Sequence, residues 1–121
     1  MCLLLPHIEV LNINGNLFDR IAEPSLRFCE NMAHLSIAYN NFGGTLLSEL
    51  GLLPKLKELD VSGNSMMGGI IPTEYGQLPN LALLGLEGTG IVGQVPESLC
   101  AHVVQQFSEI HANYSITECG E

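Results

Sequence analysis

The side chains of this chain best suited to chemistry are His34, Glu58, Asp60 and Glu87. An imidazole set beside carboxylates can bind a metal ion, pass a proton or hold a cationic group. Spacing decides among these. Successive members lie 24, 2 and 27 residues apart, so no local metal-ligand motif joins them. No surrounding groups that would orient metal ligands can be read from the sequence. Ser36 and Ser62 have no base-and-orienter partners, and no G-x-S-x-G elbow exists. Gly68-Gly69 lacks the lysine that a phosphate-binding loop carries next. These residues therefore predict no enzyme, no metal site and no cofactor. What is left is recognition of a cationic group, provided the fold brings residues 34 to 87 onto one surface; the alternative is a solvated strand face, whose exposed residues are polar by default.

A repeat does so. Leu56, Leu59, Val61 and Asn64 follow the spacing i, i+3, i+5, i+8. Ile8, Leu11, Ile13 and Asn16 match it, as do Met32, Leu35, Ile37 and Asn40. A fourth copy is Leu81, Leu84, Leu86, with Thr89 in the asparagine slot. The slots recur after 24, 24 and 25 residues, and the extra residue is expected at the doubled Ile70-Ile71. The i+3 to i+5 step is strand-like, which points both side chains to one face. Glycines and prolines after each asparagine forbid a helix there. The repeats are expected at residues 3–25, 26–49, 50–73 and 74–98 of one domain, with a C-terminal cap at 99–121. Phe107, Ile110 and Ala112 would supply a last half-coil two residues out of phase.

One coil of this length cannot bury its own apolar face, but stacked coils share a continuous core. The Leu, Ile and Val slots fill that core. Asn16, Asn40, Asn64 and Thr89 form a predicted ladder, in which buried amides bond the backbone of their own and neighbouring coils. Glycines 44, 68 and 93 allow close backbone approach or positive φ. Residues between the core slots face outward in four columns. These are Val10, His34, Glu58, Leu83; Asn12, Ser36, Asp60, Gly85; Asn14, Ala38, Ser62, Glu87; and Gly15, Tyr39, Gly63, Gly88. The candidate binding residues are His34, Ser36, Tyr39, Glu58, Asp60, Ser62 and Glu87.

The segments Asn40-Asn41-Phe42-Gly43-Gly44, Asn64-Ser65-Met66-Met67-Gly68 and Gly93-Gln94-Val95-Pro96 resemble the N-x-L-x-G-x-I-P half of the plant-specific leucine-rich repeat. The resemblance covers roughly residues 5–100. It implies an α/β solenoid, a short right-handed horseshoe arc with parallel strands on the concave face and 3-10 turns or loops on the convex side. Members of that subclass are ectodomains of receptor-like kinases and receptor-like proteins, and secreted inhibitors of cell-wall-degrading enzymes. The implied function is non-catalytic recognition of a protein or peptide at the concave face, in an extracellular or cell-surface setting. A structural piece of a larger receptor, with no binding of its own, is the alternative. The paired-cysteine cap, membrane span and kinase domain of such receptors are not seen in the chain. The repeats begin at residue 3 with no polar cap, so a piece of a longer protein is expected.

The chain has 121 residues, with 4 Lys+Arg against 13 Asp+Glu and a net charge of −9. That argues against nucleic acid as partner and is compatible with a basic peptide or protein; the alternative is an acidic surface that serves only solubility. No apolar run approaches the ~18 residues of a membrane helix, so no membrane insertion is expected. Residues 1–6 are too short, and lack the basic start, for a secretion signal. Cys29 is expected as a small buried thiol. Cys100 and Cys119 bracket the segment where the repeat pattern breaks. Joined, they would close a loop of about 20 residues and stabilise the fold by roughly 3 kcal/mol. That needs the oxidising compartment which the resemblance implies; two unpaired thiols are the alternative. Asn113-Tyr114-Ser115 is the one N-x-S/T acceptor for N-glycosylation.

Overall fold

The computed structural model describes residues 6–19 and 28–100, with the strand segments 109–111 and 116–117. Five three-residue strands make one parallel sheet: β1 (Val10–Asn12), β2 (His34–Ser36), β4 (Glu58–Asp60), β6 (Leu83–Gly85) and β8 (Glu109–His111), side by side in that order. The last four are each followed by a shorter second strand: β3 (Gly44–Thr45) pairs with β5 (Met67–Gly68), and β7 (Gly93–Gln94) with β9 (Ile116–Thr117). Every pairing is parallel. This is what coils of near-constant length produce, each rising by one strand spacing over the last.

The register follows the repeat. Leu11 pairs with Leu35, Leu35 with Leu59, Leu59 with Leu84 and Leu84 with Ile110. The core is a stack of these slots. Leu35, Leu59, Leu84, Ile37, Val61, Leu86, Leu56 and Leu81 are buried, joined by Phe42, Met67 and Ile91 from the next turn of each coil. The coils close through the 3-10 turns Ser48–Leu52 and Thr73–Gln77, which pack against each other. Leu47 and Pro72 precede these turns with the same extended backbone, so Leu47 performs the proline's task without its fixed φ. Tyr75 is fully buried, and its hydroxyl donates to the Leu47 carbonyl at 2.9 Å, tying one coil to the previous one.

The extra residue is not at Ile70-Ile71. From the asparagine slot to the next buried side chain the step is two residues in Asn40–Phe42 and in Thr89–Ile91, but three in Asn64–Met67. From there to Leu46, Ile71 and Val95 it is four in every coil. The insertion therefore sits at Ser65-Met66, where Met67 N–H closes a turn onto the Asn64 carbonyl at 3.0 Å and Met66 is pushed into solvent. The positive-φ glycine of that coil is accordingly Gly69, in line with Gly44 and Gly93, and not Gly68. Cys29 is buried, as its position before Met32 requires, but it is disulfide-bonded and not a thiol. Cys100 is disulfide-bonded too. The sulfur partners lie outside the described residues, as do Cys119, Asn113, Phe107 and Ala112.

Candidate functional site

Strand alternation builds the site. Leu35, Leu59 and Leu84 point into the core, so the residues on either side of each must point out. Pairing then sets Val10, His34, Glu58 and Leu83 in one row and Asn12, Ser36, Asp60 and Gly85 in the next. All of these but Gly85 line a surface hollow of about 370 Å³. At its centre His34 Nδ1 meets Glu58 Oε2 at 2.9 Å, both side chains being about half exposed. Directly opposed residues of neighbouring strands are where such a cross-strand pair forms. Among the described residues, no His, Cys, Asp or Glu completes a metal-ligating group of three with them.

Polar bonds within the face fix its other members. Asn14 Oδ1 accepts from Ser36 Oγ at 2.7 Å and from the Ala38 amide at 2.8 Å. Asp60 Oδ1 accepts from the Ser62 amide at 3.0 Å, just as Asn12 accepts from Asn14 two coils earlier. The Asp60 carboxylate leans over Gly85, where any Cβ would collide with it. Ser62, expected on the surface, is buried at 9% exposure, and Ala38 in the same column is fully buried. The sheet turns inward at its end there, so that column presents little beyond Asn14 and Glu87, both exposed. Asn14 was not among the expected site residues; its role needs the neighbouring coil to be seen.

The fourth column is a turn. Gly15, Tyr39, Gly63 and Gly88 all have positive φ, between 55° and 77°. Tyr39 is the one non-glycine residue in that conformation among the described residues, which costs about 1–2 kcal/mol for an L side chain. Its ring lies across Gly63, where any Cβ would run into the ring carbons, yet 66% of Tyr39 remains exposed.

The ladder holds this surface in place from behind. Asn64 is fully buried and donates to the carbonyls of Ile37 at 3.0 Å and Val61 at 2.8 Å. Its Oδ1 accepts from the Phe42 amide at 3.0 Å. Asn40 repeats this with Ile13 and Ile37 as acceptors and the Phe18 amide as donor. Among the described residues Asn16 bonds only carbonyls of its own coil, and it is exposed. Thr89 donates to the Leu86 carbonyl at 2.7 Å and accepts from the Ile91 amide at 3.3 Å, a smaller version of the same turn. Among the described residues no buried polar side-chain atom lacks a partner.

The sequence profile of the Leucine Rich Repeat family matches residues 55–78. That is the coil holding β4 and Asn64. The chain is a leucine-rich-repeat solenoid. Its likeness to solved structures covers nearly its whole length. It is similar to the leucine-rich-repeat ectodomain of the plant membrane receptor kinase GASSHO1/SCHENGEN3 from Arabidopsis thaliana, solved in complex with CASPARIAN STRIP INTEGRITY FACTOR 2. There the identity is 25% and the TM-score 0.71, over 91% of this chain and 12% of the receptor. It is similar to the plant peptide hormone receptor RGFR1 in complex with RGF2, at 20% identity and TM-score 0.75, over 92% of this chain and 17% of that one. It also resembles a plant ice-binding protein, at 24% identity and TM-score 0.77, over 94% of this chain and 36% of that one. The last two are likenesses of fold. The solenoid thus spans a small part of the receptors it matches. A search among curated proteins returned no match. No described helix is long and apolar enough to cross a membrane.

Proposed function

We propose that this solenoid is a non-catalytic recognition module that binds a protein or peptide, preferably a basic one, across the open face of its sheet. The observation that carries the reading is the face itself. It is a hollow between His34, Glu58, Asp60 and Leu83, its four columns hold three carboxylates, and they contain no lysine or arginine. Such a field favours a cationic partner and speeds its encounter. The receptor ectodomain solved with CASPARIAN STRIP INTEGRITY FACTOR 2 supports the same class of partner. Disulfide bonding of Cys29 and Cys100 suits an extracellular or cell-surface setting. In that setting Asn113 would accept an N-glycan, and Cys119 is the proposed partner of Cys100.

A second reading has its own support. The chain covers only 12% and 17% of the two receptors, so it would serve as coils of a larger arc with no binding of its own. A nonapeptide array probed with the purified chain separates the two. Retention of Lys- and Arg-containing peptides is expected. Glu58→Lys with Asp60→Lys should abolish it, while Glu74→Lys with Glu97→Lys, outside the sheet, should leave it unchanged. Retention of no peptide class, or equal loss in both double variants, rejects the recognition reading.

A further inference from the structure

Three of the four residues that end the strands at positive φ are glycine, and the fourth is Tyr39. A tyrosine is poorly suited to that backbone, and turn chemistry gives no reason to prefer it over glycine or asparagine. Its ring is also placed unusually. It rests across Gly63, and the next residue in that row, Gly88, has no side chain either and lies against the Gly63 backbone. The ring therefore sits on a glycine floor, and among the described residues Tyr39 stays 66% exposed. A residue strained in its backbone and not buried gains little for the fold, which is the pattern found at binding sites.

We infer that Tyr39 is the aromatic anchor of the binding face and takes an arginine side chain of the partner, stacked on its open ring face. This rests on the recognition reading above and adds the residue that sets specificity. Two observations select arginine over an apolar or anionic group. Glu87, beside Gly88 on the same floor, is exposed, and two strand spacings put its backbone only about 10 Å from that of Tyr39. No lysine or arginine stands in the four face columns to compete for the ring or for Glu87, and His34 is already paired with Glu58. A planar guanidinium can stack on a tyrosine ring while its N–H groups reach a carboxylate, whereas an ammonium offers only a point charge.

The test is a titration of chain carrying ¹³C-labelled tyrosine with three capped tripeptides, Gly-Arg-Gly, Gly-Leu-Gly and Gly-Glu-Gly, and with methyl glucoside, following the Tyr39 ring signals. A saturable shift is expected with the arginine peptide, tighter than with the leucine peptide by about two- to five-fold. It should persist in Tyr39→Phe, read at the labelled phenylalanine ring. Arginine-peptide binding, followed by backbone amide shifts, should vanish in Tyr39→Gly, and that variant should melt no lower than the parent. Equal response to all three peptides, or a stronger one to the glucoside, overturns the assignment. So does Tyr39→Gly that melts lower yet still binds the arginine peptide, since the ring would then serve the fold. Any of these leaves the array result, and with it the recognition reading, standing or falling independently.

Discussion

At the scale of single residues, two positions carry more of the fold than their size suggests. Asn64 closes its own turn and takes up groups of the previous coil that would otherwise be buried without partners. Asn64→Ala should cost about 1–3 kcal/mol, the usual loss when buried partners go unpaired. Asn80→Ala, which removes one exposed 3.4 Å contact, should cost under about 0.5 kcal/mol. Equal midpoints in urea would contradict the ladder. Gly63 is the second position. Alanine there must adopt φ +77° and displace the Tyr39 ring, so Gly63→Ala should lose at least about 1–2 kcal/mol. Gly43→Ala meets only ordinary contacts at 3.8 Å and should be neutral or gain up to about 1 kcal/mol, as thermal melts of the pair would show. None of this strain was legible in the sequence. The repeat marks Tyr39 as an outward residue, and only the backbone reveals that its neighbours in that column are glycine for a reason.

At the scale of elements, the first four sheet strands were legible because leucine at each of their centres (Leu11, Leu35, Leu59 and Leu84) leaves no other face to bury. The turns were less so. The chain has two apolar doublets in one coil, Met66-Met67 and Ile70-Ile71, and hydrophobicity alone cannot say which holds the extra residue. Burial of Met67 and Ile71 decides it. The cysteines were misread at Cys29 for a similar reason: burial can be inferred from phase, but a disulfide depends on where a distant segment returns. The 3-10 turn Thr73–Gln77 yields a pH prediction. Burial, with Glu49 and Glu74 adding to it, pushes the Tyr75 hydroxyl far above its ordinary value of 10.0. The phenol is then neutral in the folded chain and ionises first in the unfolded one. Its stabilisation is complete below pH 10 and lost as pH rises beyond it. Tyr75→Phe should flatten the alkaline fall of the urea midpoint. It should also cost about 0.5–1.5 kcal/mol at neutral pH through the lost bond to Leu47. For the C-terminal segment, non-reducing peptide mapping of protein expressed through a secretory pathway should recover a peptide joining Cys100 to Cys119. Recovery of Cys100 joined to another cysteine would remove that closure.

At the scale of the whole molecule, the repeat fixes which residues share the sheet face, where binding is proposed, before it says what binds. Parallel strands of constant register turn scattered residues 34, 58, 60 and 87 into neighbours, and this was readable from spacing alone. Ligand identity was not, because the fold is shared by receptors and by an ice-binding protein, and recognition lies in surface residues. The lateral side offers a competing surface, with Met66, Ile70 and Val92 exposed on the turns that follow the strands. Amide chemical-shift mapping on the ¹⁵N-labelled chain, with the peptide best retained on the array, compares the two directly. The account predicts the largest shifts at His34, Ser36, Tyr39, Glu58, Asp60 and Glu87. Shifts centred on Met66, Ile70 and Val92, with the sheet face silent, would contradict it.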